Sequence, residues 1–192
     1  MSRTPLPDAL RPVISAVEAR VRERGRAVLV MDGMSAAGKT TAGEVLSALW
    51  SAPVVHMDDF FLPRSLRTPE RLAEPGGNVH YERFREEVLP GLRAGKAFSY
   101  RAFCCASMDY AGRIAVPAAA VTLVEGAYAM HPLFGDYGDV TVFFSIDPGE
   151  QERRIRRRNG GARWPDFRDR WIPMENHYHA AFRTRDRADF IV

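Results

Sequence analysis

Cysteine is nearly absent from this 192-residue chain, and its two copies, Cys104 and Cys105, are neighbours. Adjacent residues rarely reach the Cα separation and torsion of an ordinary disulfide, so reduced thiols are expected and a secreted, covalently stapled scaffold is excluded. Lysine is as scarce, with Lys39 and Lys96 the only two among 27 basic residues. No run of about eighteen apolar residues could span a bilayer, and Met1 to Asp8 lacks the apolar centre of a secretory signal. A soluble, cytoplasmic protein without a membrane partner is expected. Solenoid or propeller repeats and long polar linkers are also missing, and low complexity is confined to Ala118–Ala120 and one arginine-rich run. With 46% apolar residues, the chain can bury one sizeable core. The expectation is a single domain over 1–192, with substrate-side and lid insertions near 60–115 and 153–172.

The net charge is +3 and the isoelectric point about 9.1. That excess is modest and concentrated between Arg153 and Arg163, which favours phosphate over nucleic acid as the partner. Homo-oligomerisation is left open.

Leu10, Val13, Ile14, Val17 and Val21 recur at helical spacing and Gly25 follows as a stop, predicting an amphipathic helix. Ala27–Met31 is a continuous apolar run of strand length, followed by a glycine-bounded loop and then a helical pattern over Thr40–Trp50. Further strands are predicted at 53–57, 121–124, 140–146 and 188–192, each apolar at nearly every position, as in strands buried on both faces. Helices are predicted at 82–93, 148–158 and 173–185. Strands alternating with helices give an α/β class, a three-layer P-loop fold with a mainly parallel central sheet. The Pro-, Arg- and Gly-rich stretch 63–77 reads as a mobile loop or substrate-side insertion.

Gly33-Met34-Ser35-Ala36-Ala37-Gly38-Lys39-Thr40 completes the Walker A pattern between the first strand and a helix. Such a loop aims backbone N–H groups at one point, where they and the helix N-terminus hold an anion. Lys39 then reaches the β- and γ-phosphates, and Thr40 offers a hydroxyl to Mg²⁺. Thr41 completes the expected ATP-binding set. A guanine-reading Asn-Lys-x-Asp pattern is absent. Phosphoryl transfer to an alcohol needs one carboxylate to orient or deprotonate the hydroxyl and another acidic group to hold Mg²⁺ directly or through water. Asp58 and Asp59 follow Val54–Met57, and Glu125 follows Val121–Val124, so all three stand at carboxyl ends of strands, where open α/β sheets bind ligands. If still extended, Asp58 and Asp59 point to opposite sides, and Asp58 is the one assigned to the phosphate.

Arg153, Arg156 and Arg157 share one face of a predicted helix, with Arg154 and Arg158 on a neighbouring row. One row can face ATP, where guanidinium groups bind phosphate oxygens and steady the transferring phosphoryl. Gly160-Gly161 would permit a hinge. Trp164, Phe167, Trp171 and Ile172 are expected to pack the return of this lid, and Glu175 is given no catalytic role.

With these residues assembled, the chain resembles the uridine kinase family of P-loop kinases, related to the pantothenate kinase and phosphoribulokinase group. The resemblance rests on Asp32–Thr41, Met57-Asp-Asp-Phe-Phe61, Gly76–Phe84, Val124-Glu-Gly-Ala-Tyr128 and Gln151–Arg158. It implies Mg-ATP as phosphoryl donor and the 5′-hydroxyl of uridine or cytidine as acceptor. It further implies Asp58 as base, Glu125 at the magnesium site with Thr40 and Asp58, and Arg153, Arg156 and Arg157 in the lid. Phe61, Tyr100 and Arg153 would lie near the nucleoside. The chain departs from the family at His80, near where an aspartate grips the ribose, and along Tyr100-Arg-Ala-Phe-Cys-Cys105, where an acidic residue and a histidine read the base. These departures motivate a second reading, another metabolite alcohol as acceptor. A nucleotide-dependent switch is the rival from a different class.

Overall fold

A computed structural model describes residues 8–192. Of the segment on which the absence of a secretory signal was judged, Met1 to Pro7 lie outside the described residues. The order is α1 (Arg11–Arg24), β1 (Ala27–Gly33), α2 (Lys39–Trp50), β2 (Val54–His56), α3 (Pro69–Ala73), α4 (Tyr81–Glu87) and α5 (Leu89–Ala94). There follow β3 (Phe98–Cys104), β4 (Asp109–Val116), β5 (Val121–Glu125), β6 (Val140–Phe144), α6 (Pro148–Asn159) and α7 (Trp164–Asp166). A π-helical turn, Phe167–Trp171, leads to α8 (Ile172–Phe182), α9 (Thr184–Arg187) and β7 (Phe190–Ile191).

Five strands form one parallel sheet in the order β2-β5-β1-β6-β7. The central strand alternates between two cores. Val28 and Val30 join Val55, Val124, Phe84 and Tyr178 on one face, while Leu29 and Met31 join Val13, Val17, Leu46 and Val142 on the other. Helices on both faces explain why these strands read as continuous apolar runs rather than alternating ones. The fold is thus the α/β P-loop architecture expected from the strand–loop–helix pattern.

Local chemistry sets the boundaries. Gly25 closes α1 in the left-handed region at φ 75°. Asp147 caps α6, its Oδ1 accepting from the N–H groups of Gly149 and Glu150, with Pro148 in the first turn. The helix expected over 82–93 breaks at Val88, two residues before Pro90, and that over 173–185 breaks at Arg183, which takes the left-handed conformation. The stretch 63–77 carries its own 3₁₀ turn, Arg64–Leu66, and then α3, whose cap Thr68 accepts from the Arg71 N–H at 3.2 Å. Arg71 then ties this segment to Gly77, Val79 and Glu82.

The antiparallel hairpin β3–β4 was not anticipated as strands. It stands apart from the main sheet, with an irregular register between Arg101 and Phe103. It packs on the turn after β2 through Tyr100, whose ring centroid lies 5.0 Å from that of Phe60. Among the described residues no helix is long and apolar enough to cross a membrane.

His131 is 3% exposed and ringed by Tyr81, Phe134, Tyr178 and Phe182. Its Nδ1 accepts from the Leu133 N–H at 3.2 Å. Burial pushes its pKa down to about 4. The unfolded chain, titrating near the ordinary value of 6.5, binds a proton that the folded chain refuses, so stability present above pH 6.5 is lost as pH falls toward 4. At up to about 1.4 kcal/mol per pH unit, the loss between pH 7 and 5 is roughly 2 kcal/mol. Urea unfolding at the two pH values should show it, and His131→Leu should show a smaller difference; an equal difference would remove His131 from the account.

Candidate phosphoryl-transfer site

The loop between β1 and α2 is shaped by its glycines. Gly33 has φ 128° and lies against β6, where a Cβ would fall on the backbone of Phe144; Gly38 has φ 108°. The loop residues Met34 to Ala37 are partly buried, and Thr40 and Thr41 are exposed in the first turn of α2. There the amides have no helical partner and the helix dipole is positive, so an anion is favoured. Lys39 is 8% exposed, and its ammonium spans the loop to the carbonyl oxygens of Gly33 at 2.7 Å and Met34 at 2.8 Å.

Asp32, immediately before the loop, is fully buried. Its Oδ1 accepts from the N–H groups of Gly33 at 2.6 Å and Tyr128 at 3.1 Å, and its Oδ2 accepts from the Met130 N–H at 2.8 Å and the Tyr178 hydroxyl at 2.7 Å. The loop, the segment after β5 and α8 therefore meet at one carboxylate. That segment is bent, with Gly126 at φ 135° and the non-glycine Tyr128 at φ 73°. Glu175 adds a second tie from α8: its carboxylate accepts both the N–H of Ser35, at 2.9 Å, and the Ser35 hydroxyl. Burial pushes the Glu175 pKa up.

At the carboxyl edge of the sheet, register brings Glu125 beside Met31 on one side and His56 on the other. Both Glu125 oxygens lie 3.4 Å from the Thr40 hydroxyl, and Oε1 is 2.6 Å from His56 Nδ1. That bond, with the neighbouring carboxylate charges, raises the His56 pKa against burial. Two hard oxygen donors facing the phosphate loop suit Mg²⁺, which takes its other ligands from water and phosphate.

Asp58 and Asp59 lie on a 3₁₀ turn, Met57–Phe60, rather than on extended chain, so opposite-facing pleats do not separate them. Asp59 Oδ2 is taken by the Tyr100 hydroxyl at 3.0 Å. Asp58 makes no hydrogen bond among the described residues and opens to solvent in the cleft. Surrounding protein raises its pKa, the Glu125 charge adds to that rise, and Lys39 and His56 oppose it. A carboxylate so placed, within reach of the Lys39 charge and without a hydrogen-bond partner among the described residues, is free to take a proton.

Of the expected acceptor residues, Phe61, His80 and Tyr100 gather on the hairpin side. Tyr100 is buried and committed to Asp59, so it positions that carboxylate instead of presenting its hydroxyl. Phe61 bridges to Val79 and meets Phe103 edge-on at 6.3 Å. His80 is half-buried at the start of α4, with Nδ1 2.8 Å from the Tyr110 hydroxyl, and burial lowers its pKa.

The arginine row turns out differently. Gln151 Nε2 donates to the Ser35 carbonyl at 3.0 Å, and Arg154 Nη1 donates to the Ala36 carbonyl at 3.2 Å. Arg153 shares Glu150 with Arg154 but is 62% exposed and has no bond to the loop, Arg156 pairs with Glu152 and lies over the Trp164 ring, and Arg157 is exposed. The row assigned to ATP thus points away from the loop here, because Gln151 and Arg154 share the face that α6 turns inward. Asp32, Glu175, Gln151 and Arg154 carried no role in the sequence reading. Asp32, Gln151 and Arg154 sit inside motifs that carry the resemblance; Glu175 lies outside them, 140 residues from its partner Ser35, a separation that no local pattern spans.

No protein family matches the chain, and no curated protein does either. Among solved structures it is similar to a possible uridine kinase from Bacillus stearothermophilus, with a TM-score of 0.68 and 19% identity over 94% of this chain and 98% of that one. At that identity the likeness is one of fold.

Arg154 and Arg153 can be told apart by nucleotide affinity. Arg154→Gln should weaken ATP-analogue binding about tenfold, as expected for one charge-assisted contact, while Arg153→Gln should change it less than about twofold, as for an exposed pair. Titration calorimetry reads both, and the reverse order would return the ATP-facing role to the Arg153 row.

Proposed function

We propose that the chain is an ATP-dependent phosphotransferase with a small-molecule alcohol as acceptor. The observation that carries this reading is the convergence of three features at one sheet edge: the Gly33–Thr40 loop with its lysine, the Thr40–Glu125 oxygen pair, and the unengaged carboxylate of Asp58. The resemblance to uridine kinases and the likeness in fold to a possible uridine kinase support it.

The loop amides and Lys39 would hold the β- and γ-phosphates of ATP, and Arg154, from α6, would lie beside them. Thr40 and Glu125 would hold Mg²⁺, directly or through water, and the metal when bound supplies charge neutralisation on the phosphate oxygens. Asp58 orients the acceptor hydroxyl and takes its proton as the oxygen bonds to the γ-phosphorus. The bond from that phosphorus to the β,γ-bridging oxygen breaks, releasing ADP and the phosphorylated alcohol. Uridine or cytidine is the acceptor that the resemblance favours. A different metabolite alcohol is favoured by the engagement of His80 with Tyr110 and of Tyr100 with Asp59, which leaves neither side chain free to read a base.

Asp58→Asn should lower acceptor-dependent ADP formation by about 10²- to 10⁴-fold with the protein still folded, the range usual for a general base. In the wild type, the rate should fall toward acid through an apparent pKa above the ordinary 3.8, because the working form is the carboxylate. ADP formation that needs no alcohol and survives Asp58→Asn would contradict the reading and point to a nucleotide-dependent switch.

A further inference from the structure

The acceptor side of the cleft contains a buried cation with no carboxylate hydrogen-bonded to it, although the charges of Glu87 and Asp59 act on it through space. Arg83, on α4, is 1% exposed. Its Nη2 donates to the carbonyl oxygen of Asp59, yet Nε and Nη1 are buried without a hydrogen-bond partner among the described residues. Of the three carboxylates on the same helix, Glu86 is exposed and the other two are hydrogen-bonded to other arginines. Glu87 receives the main-chain N–H and Nε of Arg101 at 2.7 and 2.6 Å, and Glu82 receives both Nη groups of Arg71 at 2.8 and 2.9 Å. The Asp59 carboxylate takes the Tyr100 hydroxyl.

The guanidinium lies over two aromatic rings, its central carbon 4.5 Å from the centroids of Phe60 and Tyr110. Stacking of that kind stabilises the cation through its faces, but the in-plane N–H groups remain unpaired, and a dehydrated donor without a partner is costly. Tyr110 stands at the start of β4, its hydroxyl on His80, and Arg101 lies 4.5 Å from its ring centroid. One aromatic side chain of the hairpin therefore lies over a guanidinium that is anchored to the residue next to Asp58.

We propose that the acceptor is an acidic alcohol, whose hydroxyl lies at Asp58 and whose carboxylate or phosphate binds Arg83 once Tyr110 turns aside. This rests on the phosphotransferase reading and narrows its acceptor. The missing hydrogen-bond acceptors are then the substrate's own: an oxyanion supplies them for Nε and Nη1 and pairs directly with a cation that the Glu87 and Asp59 carboxylates reach only through space. A neutral alcohol would leave both nitrogens unpaired in the closed complex, so the site discriminates against it.

The test presents alcohols in matched sets with Mg-ATP and measures ADP release: glycerol, glycerate and glycerol 3-phosphate; glucitol and gluconate; uridine and uridine 3′-phosphate. An acidic member should exceed its neutral counterpart in kcat/KM by about ten- to a hundredfold, the range for a charge-assisted hydrogen bond. Arg83→Gln should bring the two within about threefold, and Arg83→Lys should restore part of the difference. Comparing glycerate with glycerol 3-phosphate separates carboxylate from phosphate. Equal or better use of a neutral member by the wild type overturns the inference and leaves the phosphotransferase reading standing, and this comparison holds even if the Arg83 variants do not fold. Should no alcohol yield ADP, the phosphotransferase reading fails. Thermal denaturation with a non-hydrolysable Mg-ATP analogue filling the loop then decides the inference alone. Stabilisation by glycerate or gluconate over glycerol or glucitol supports it, and its absence overturns it.

Discussion

One buried carboxylate organises the carboxyl edge of the central sheet in this protein. Asp32 accepts four donors from three separate segments: the entry to the phosphate loop, the bend after β5, and helix α8. A carboxylate shut away from water needs every lone pair engaged, and here each donor that satisfies it also fixes a piece of backbone. The consequence reaches outward in steps. The bend after β5 starts at Glu125, the residue facing Thr40, and α8 carries Glu175 to Ser35 as well as Tyr178 to Asp32. The loop that would hold phosphate is thus clamped from the sheet and from the far end of the chain together.

A second constraint is the distribution of charge. The donor side is built from backbone amides, Lys39 and an inward-facing arginine, all suited to phosphate. Asp58, Asp59 and Glu125 then crowd one corner, where desolvation by the surrounding protein and the neighbouring carboxylate charges raise the pKa of Asp58. Arg83 lies beside them, bonded to the Asp59 carbonyl and held under Tyr110. Asp58 is therefore flanked by two cationic regions, Lys39 with Arg154 on one side and Arg83 on the other.

Much of this was legible in the sequence, and physical reasons separate what was from what was not. The parallel sheet announced itself because strands buried on both faces are apolar at every position. The phosphate loop was legible because its glycines, lysine and threonine must stand at fixed spacing. Asp58 and Glu125 followed from apolar runs that end in acids. The hairpin β3–β4 escaped, because β4 is mostly exposed and its pattern carries little apolar alternation. The choice between arginine rows escaped too: helical periodicity groups Arg153 with Arg157 and Gln151 with Arg154, but which group turns inward depends on how α6 packs. Long-range partners such as Glu175 and Tyr178 depend on tertiary closure, which local spacing does not encode.

The most direct test of the central role of Asp32 is urea unfolding of Asp32→Asn, with Mg-ATP-analogue binding measured on the same protein. The substituted amide keeps one acceptor oxygen and turns an NH₂ group toward buried donors, so a loss of about 3 kcal/mol and weakened nucleotide binding are predicted. Unfolding at the wild-type urea concentration with unchanged binding would contradict the account.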